Sequence, residues 1–321
     1  MAEISLADVR DAAERIANIV HRTPVFSSRR FDEAAGAACF FKGENFQRGG
    51  AFKLRGAANF LLSMTQEQRS RGVVTFSSGN HAQAVAIVAR ELDVRATIVM
   101  PADAPKTKLE ATRSYGARIV PYDRLHENRE AIGRRIASES GATLVPPFDH
   151  PWIVAGQGTA TLELLDHVSG LDALAVPLGG GGLLSGTLIA AKSLNPSTKV
   201  FGVEPEVAND WALSLAANER IAIPVPETIA DGLRTVQPGA VTFPIVKSLV
   251  DDVLLITEEE MKQTIRFLLT RLKILAEPSG AAGAAAVLHR KLPRGLKRVG
   301  IIISGGNIDL DVLAGICGGT G

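Results

Sequence analysis

The sequence predicts an α/β fold of two domains with parallel sheets. Three observations carry this. Short apolar runs alternate with segments of 3.6-residue periodicity along most of the chain. Those runs are continuously apolar, as in strands covered on both faces, rather than alternating apolar and polar. The length, 321 residues, is too great for one domain of roughly 100–150 residues. Glycine is also in excess, at 31 residues, which suits tight strand-to-helix turns and helices packed closely on a sheet.

The elements follow in order. Residues 1–20 are acidic and amphipathic and read as a helix. They lack the basic start and apolar centre of a signal peptide. Strands are expected at Ala38–Phe41, Gly72–Phe76, Ala96–Met100, Ala117–Tyr122 and Thr143–Val145, then at Ala173–Leu178, Val200–Val203, Val253–Ile256 and Val299–Ile303. Helical periodicity marks His81–Leu92, Lys106–Tyr115, Glu127–Glu139, Gly158–Val168 and Glu258–Leu275. Glu206–Pro244 holds Pro224, Pro226, Pro238 and Pro244, and reads as a long irregular excursion near a site. The strands after Arg71 form one block to about Pro146, and a second block begins at Trp152. Residues 1–65 are expected to pack on the second block. The division is therefore 1–65 plus 147–321 as the large domain and 66–146 as a small mobile one.

Charge and composition remove several function classes. Lys and Arg total 35 against 34 Asp and Glu, a net charge of +1. That balance argues against a nucleic-acid binder driven by phosphate neutralisation. No apolar run approaches the ~18–20 residues of a membrane span. Cys39 and Cys317 lie far apart and form neither a disulfide framework nor a zinc spacing. The reading is a soluble, reduced, cytoplasmic protein with no membrane or nucleic-acid partner.

Four stretches could carry chemistry. Residues 176–186 read VPLGGGGLLSG, a strand running through four glycines into a helix. Without side chains, the backbone N–H groups of Gly179, Gly180, Gly181, Gly182 and Leu183 can converge on an anion at a helix N-terminus. Neither the dinucleotide fingerprint nor a P-loop lysine is present, and a plain tight turn remains the other reading. Residues 49–57 read GGAFKLRGA, with Lys53 at a helix start. A lysine there is ordinarily a solvated charge, but buried it becomes a low-pKa Schiff-base amine. Residues 75–81 read TFSSGNH. Ser77, Ser78, Asn80 and His81 would either cap a helix or present donors to a carboxylate. Residues 299–307 end a strand on Ser304 and two glycines, which could also be a turn. Glu204 and Asp210 after Val200–Val203 form a weak hard-cation pair or, as easily, solvated loop carboxylates.

Together, and in this order over nearly the whole chain, these pieces resemble the fold-type II, tryptophan synthase β-like family of pyridoxal-5′-phosphate (PLP) enzymes. The branch they resemble is that of serine/threonine dehydratases and serine racemases. The resemblance rests on Gly49–Asn59, which resembles the family's S-F-K-x-R-G-A lysine motif, on S-S-G-N-H-A-Q at Ser77–Gln83, on the glycine loop and on the terminal S-G-G-N at Ser304–Asn307. It implies that Lys53 binds PLP covalently and then acts as base at Cα. It also implies that Gly179–Leu183 hold the phosphate, Asn80 the ring oxygen, Phe52 flanks the ring and Ser304 faces the ring nitrogen. A neutral hydroxyl there makes a weaker electron sink, which suits β-elimination over transamination. Ser77, Ser78, Asn80 and His81 would embrace the substrate carboxylate. Glu204, the Ala208 carbonyl and Asp210 match the family's divalent-cation site for Mg2+ or Ca2+. The family serine is replaced by Ala51, which removes a hydroxyl near the phosphate. The implied activity is dehydration of L-threonine or L-serine to a 2-oxo acid and ammonia, by a homodimer. The alternatives are a racemase, with Ser78 on the second face of Cα, and a 3-hydroxyaspartate dehydratase or racemase. In the last, Arg129 and Arg234 would read the second carboxylate. A PLP-binding protein without catalysis is the non-enzyme reading.

Overall fold

The computed structural model describes residues 4–77, 79–103, 106–123 and 126–318. Among them, ten strands form two sheets. The larger has six strands, in the order β1 (Val25–Phe26), β2 (Ala38–Gly43), β10 (Arg298–Ile303), β7 (Ala173–Pro177), β8 (Lys199–Pro205), β9 (Asp252–Ile256). Its pairs are parallel except β1 with β2. The smaller has four parallel strands, in the order β5 (Arg118–Tyr122), β4 (Ala96–Pro101), β3 (Val73–Phe76), β6 (Thr143–Leu144). The chain is thus α/β with parallel sheets, as its apolar runs require.

Register explains the site. Val299 of β10 lies opposite both Cys39 of β2 and Ala173 of β7. The three chains therefore run side by side and leave the sheet at one edge. That edge brings together the segment leading to Lys53, the loop at Ser304 and the glycine loop after β7. A crevice outside strand carboxyl ends is where open α/β sheets place ligands.

Helices cover the sheets with residues chosen for close approach. Pro151–His167 crosses Gly182–Leu194, and a methyl group at Gly186 would stand 2.4 Å from the Val154 carbonyl oxygen. Only glycine lets these helices touch there. Pro278–Leu288, sequence PSGAAGAAAVL, is buried from Pro278 through Val287 against the large sheet.

Four expectations need correction. β1 had no counterpart in the sequence reading, because two residues show no periodicity. The helix expected at Gly158–Val168 begins at Pro151, capped by the His150 ring. Its first ten residues are nearly all buried, so no amphipathic stripe marked them. The excursion Glu206–Pro244 contains a helix, Asp210–Ala217, closed by Asn218 at φ +62°, and it leads into a second helix, Thr242–Leu249. The helix expected to reach Leu275 ends at Phe267. A π-turn, Leu268–Leu272, and Lys273 at φ +62° then reverse the chain.

Candidate active site

Lys53 is the first residue of the helix Lys53–Ser63. The loop before it is stitched to the end of β10. The Phe52 N–H donates to the Ser304 carbonyl at 3.0 Å, the Gly306 N–H donates to that of Gly50 at 2.9 Å, and Ala51 bridges Gly305. The Lys53 Nζ donates to the Pro147 carbonyl at 2.7 Å and lies 5.1 Å from the Phe52 ring centroid. Burial pushes this amine down to about 8, with the Glu277 carboxylate pulling the other way. A neutral fraction at ordinary pH is what a nucleophilic lysine needs. Capture of PLP by the apo-protein should therefore speed up about tenfold per pH unit below about pH 8 and level off above it. Stopped-flow absorbance would read this, and a rate flat across that range would contradict it.

The helix is anchored just behind the lysine. Arg55, fully buried, donates through Nε to Glu44 at 2.7 Å and through a terminal nitrogen to Glu163 at 2.7 Å. Lys42, also fully buried, pairs with Glu163 and donates to the Thr23 carbonyl. Two cations and two carboxylates offset one another, as groups so far from water must.

The glycine loop leaves β7 and enters the helix Gly182–Leu194 through Gly181 at φ +89°. Two of its carbonyls are held from behind. Trp211 donates its indole N–H to Gly179, and Thr242 its hydroxyl to Gly180 at 2.9 Å. A methyl group at Gly181 would lie 2.5 Å from the Trp211 ring, so the loop admits backbone alone. With carbonyls turned inward and a helix start following, N–H groups are left for an anion. This cradle, with a low-pKa lysine amine beside it, fits a phosphate-bearing aldehyde cofactor.

The stretch Pro147–Asp149 ties the loop to the lysine. Pro147 receives the lysine amine, and Phe148 packs on Gly180. The Asp149 carboxylate accepts from the N–H groups of Ala240, Val241 and Thr242. No local sequence signal marks this role.

Asn80 opens the helix Asn80–Glu91. Its Nδ2 donates to Glu277 Oε1 at 2.7 Å, and its Oδ1 accepts from Asn307 Nδ2 at 2.9 Å. Asn307 Nδ2 also donates to the Gly49 carbonyl at 2.7 Å. Glu277, 3% exposed, is thus a site residue that sequence reasoning missed. Its one local mark is the Glu-Pro start of Pro278–Leu288.

His81 is buried, with Nε2 3.2 Å from the Val145 carbonyl oxygen and Nδ1 without a partner among the described residues. Burial, then the charge of Lys53, pushes its pKa down to about 3. The ring is neutral, and the carbonyl fixes the proton on Nε2. Nδ1 is then an acceptor, so a share in carboxylate binding falls to the backbone N–H. Ser77 follows β3 and accepts from the Gly79 N–H at 3.3 Å. Ser78 lies outside the described residues. Ser304 is buried beside Phe52. Arg129 is exposed at the start of Arg129–Ser140, its guanidinium 6.0 Å from the ring centroid of Phe76, the residue before Ser77. Arg234 is tied to the Thr228 carbonyl.

Glu204 is the second-last residue of β8 and Asp210 begins Asp210–Ala217, with Ala208 buried between. Both carboxyls are buried, which pushes Glu204 up to about 9 and Asp210 up to about 7. Glu204 accepts from the N–H groups of Trp211 and Ala212. Asp210 Oδ2 is buried without a partner among the described residues. Two buried carboxylates and a carbonyl suit a hard divalent cation completed by waters. Among the described residues no cluster of three or more His, Cys, Asp or Glu stands ready for a metal. No described helix is long and apolar enough to cross a membrane.

Residues 16–305 match the family described as pyridoxal-phosphate dependent enzyme. The chain is 51% identical over 312 residues to an L-threo-3-hydroxyaspartate ammonia-lyase of Saccharomyces cerevisiae, covering 97% of this chain and 96% of that one. It is 47% identical to a serine racemase of Schizosaccharomyces pombe, covering 95% and 94%. The solved structure of maize serine racemase superposes with a TM-score of 0.94 at 44% identity, covering 97% and 96%.

Proposed function

This chain belongs to the pyridoxal-phosphate dependent enzyme family, and from that premise we propose an ammonia-lyase that dehydrates an L-β-hydroxy amino acid, with 3-hydroxyaspartate preferred over threonine and serine. The observation that carries the reaction class is the buried Lys53 amine, its pKa pushed down by burial, held against Pro147 beside a backbone cradle for phosphate. The substrate preference is supported by the Saccharomyces relative and by Arg129, whose guanidinium lies 6.0 Å from the ring centroid of the residue that leads into Ser77.

When bound, PLP supplies an electron sink for negative charge developing at Cα. The chain's own residues do the rest. Lys53 would hold the cofactor, and its amine would act as the base that takes the Cα proton. The N–H groups of Gly179, Gly180, Gly181, Gly182 and Leu183 hold the phosphate. Asn80, its amide oriented by Glu277 and Asn307, meets the ring oxygen. Phe52 would flank the ring, and Ser304 would offer the ring nitrogen a neutral hydroxyl. Ser77, Ser78, Asn80 and the backbone of His81 receive the α-carboxylate, and Arg129 the second carboxylate. Loss of the β-hydroxyl with that proton makes water. Hydrolysis of the released enamine then gives a 2-oxo acid and ammonia.

A racemase is the second reading, supported by the Schizosaccharomyces relative, with Ser78 the acid on the face opposite Lys53. Glu204, the Ala208 carbonyl and Asp210 would hold Mg2+ or Ca2+. A homodimer in the cytoplasm completes the proposal.

Arg129→Ala decides the substrate. A charge-assisted hydrogen bond is worth about 1.5–3 kcal/mol, so kcat/KM on 3-hydroxyaspartate should fall about 10- to 100-fold. The value on threonine should change less than about twofold. Equal losses on both substrates would defeat the dicarboxylate reading. Chiral analysis of residual substrate separates lyase from racemase.

A further inference from the structure

Trp211 stands between the carboxylate pair and the glycine loop, and it bonds to both. Its backbone N–H donates to Glu204 Oε2 at 3.3 Å, and the next N–H, of Ala212, donates to Oε1 at 2.9 Å. Its indole N–H donates to the carbonyl of Gly179, where the loop begins. The side chain is 0% exposed, and a methyl group at Gly181 would lie 2.5 Å from its Cζ2. Phe243 packs on its other side, with ring centroids 6.1 Å apart.

We propose that Trp211 couples a divalent cation at Glu204, Ala208 and Asp210 to the shape of the glycine loop, so that the cation tightens the hold on the cofactor phosphate. The inference rests on the cation and phosphate readings given above. Its physical basis is rigidity. Asp210 and Trp211 are the first two residues of one helix, and Glu204 accepts from the N–H groups of that same turn. A cation drawing the two carboxylates together fixes the turn. The indole is a stiff plate with two torsions, fully buried, so it passes a displacement of the turn to its Nε1. Nε1 holds the Gly179 carbonyl, and that peptide's orientation sets where the following N–H groups point. Phenylalanine would fill most of the same space but could not hold the carbonyl.

Coupling between two binding equilibria is reciprocal. The factor by which Ca2+ tightens PLP must equal the factor by which PLP tightens Ca2+. The dissociation constant for PLP would be measured with saturating Ca2+ and with chelator, and that for Ca2+ by calorimetry on apo- and holo-protein. Both are done on the native protein and on Trp211→Phe. The native protein should show the same factor, about tenfold, in both directions. Trp211→Phe should bind Ca2+ and PLP with that factor cut to below about twofold. A tenfold factor retained in Trp211→Phe overturns the coupling alone. Equal Ca2+ affinity of native apo- and holo-protein overturns it whether or not the variant folds. No Ca2+ binding by either native form overturns the cation site and the coupling with it.

Discussion

Lys53→Ala should remove the visible absorbance band of the PLP-loaded protein and cut turnover by about 10³-fold or more. In the proposed reaction the lysine has two duties, covalent attachment and proton transfer at Cα, and alanine performs neither. The proposed phosphate cradle uses other residues: the backbone of Gly179–Leu183, where Trp211 and Thr242 hold the Gly179 and Gly180 carbonyls. The variant should therefore still retain PLP without a covalent link, detectable by phosphate analysis of the gel-filtered protein. Lys53→Arg should fail almost as badly, because a guanidinium keeps its charge at any workable pH and cannot attack as a free base. A native-like band in Lys53→Ala would show that another amine carries the cofactor. Absence of a band in the native protein would remove the basis of the proposed reaction.

The parallel strands and the four loops can be read from sequence because each is a local signal. A parallel strand buried on both faces writes its position as an unbroken apolar run, and Ala173–Pro177 or Arg298–Ile303 could hardly be read otherwise. A glycine run or an S-S-G-N stretch sits at a strand end, where a ligand is met. What stayed hidden depends on contacts made across the chain. Glu277 reaches Asn80 across 197 residues, and nothing in its neighbourhood announces that partner. Trp211 lies in the stretch that reads as an irregular excursion, yet it braces a loop 32 residues earlier. The helix Pro151–His167 was read too short for a related reason. Burial on every side erases the polar face from which helical periodicity is recognised. His81 shows the limit of motif reading from the other direction. The motif marks it as a substrate-binding residue, whereas its surroundings decide which of its atoms can donate.

Arg55→Met should cost about 3–5 kcal/mol of stability, because it leaves two buried carboxylates facing one lysine. The guanidinium is 0% exposed and makes short bonds to Glu44, itself 0% exposed, and to Glu163. For a chain of this size the thermal midpoint should fall by about 10 °C. Arg55→Lys should recover only part of that loss, since an ammonium cannot span Glu44 and Glu163 as the fork does. Removing Glu44 as well tests whether the cost comes from the orphaned charge or from lost packing. If the charge dominates, Arg55→Met with Glu44→Gln should be less destabilised than the sum of the single changes, by about 1–3 kcal/mol in a double-mutant cycle. Strict additivity would mean that the four groups act separately. The cluster also bears on chemistry, because Arg55 lies two residues beyond Lys53 on one helix. When the helix start loosens, the lysine amine is no longer held at Pro147. PLP occupancy of the Arg55 variants, read from the same absorbance band, should then fall in the order of their stabilities.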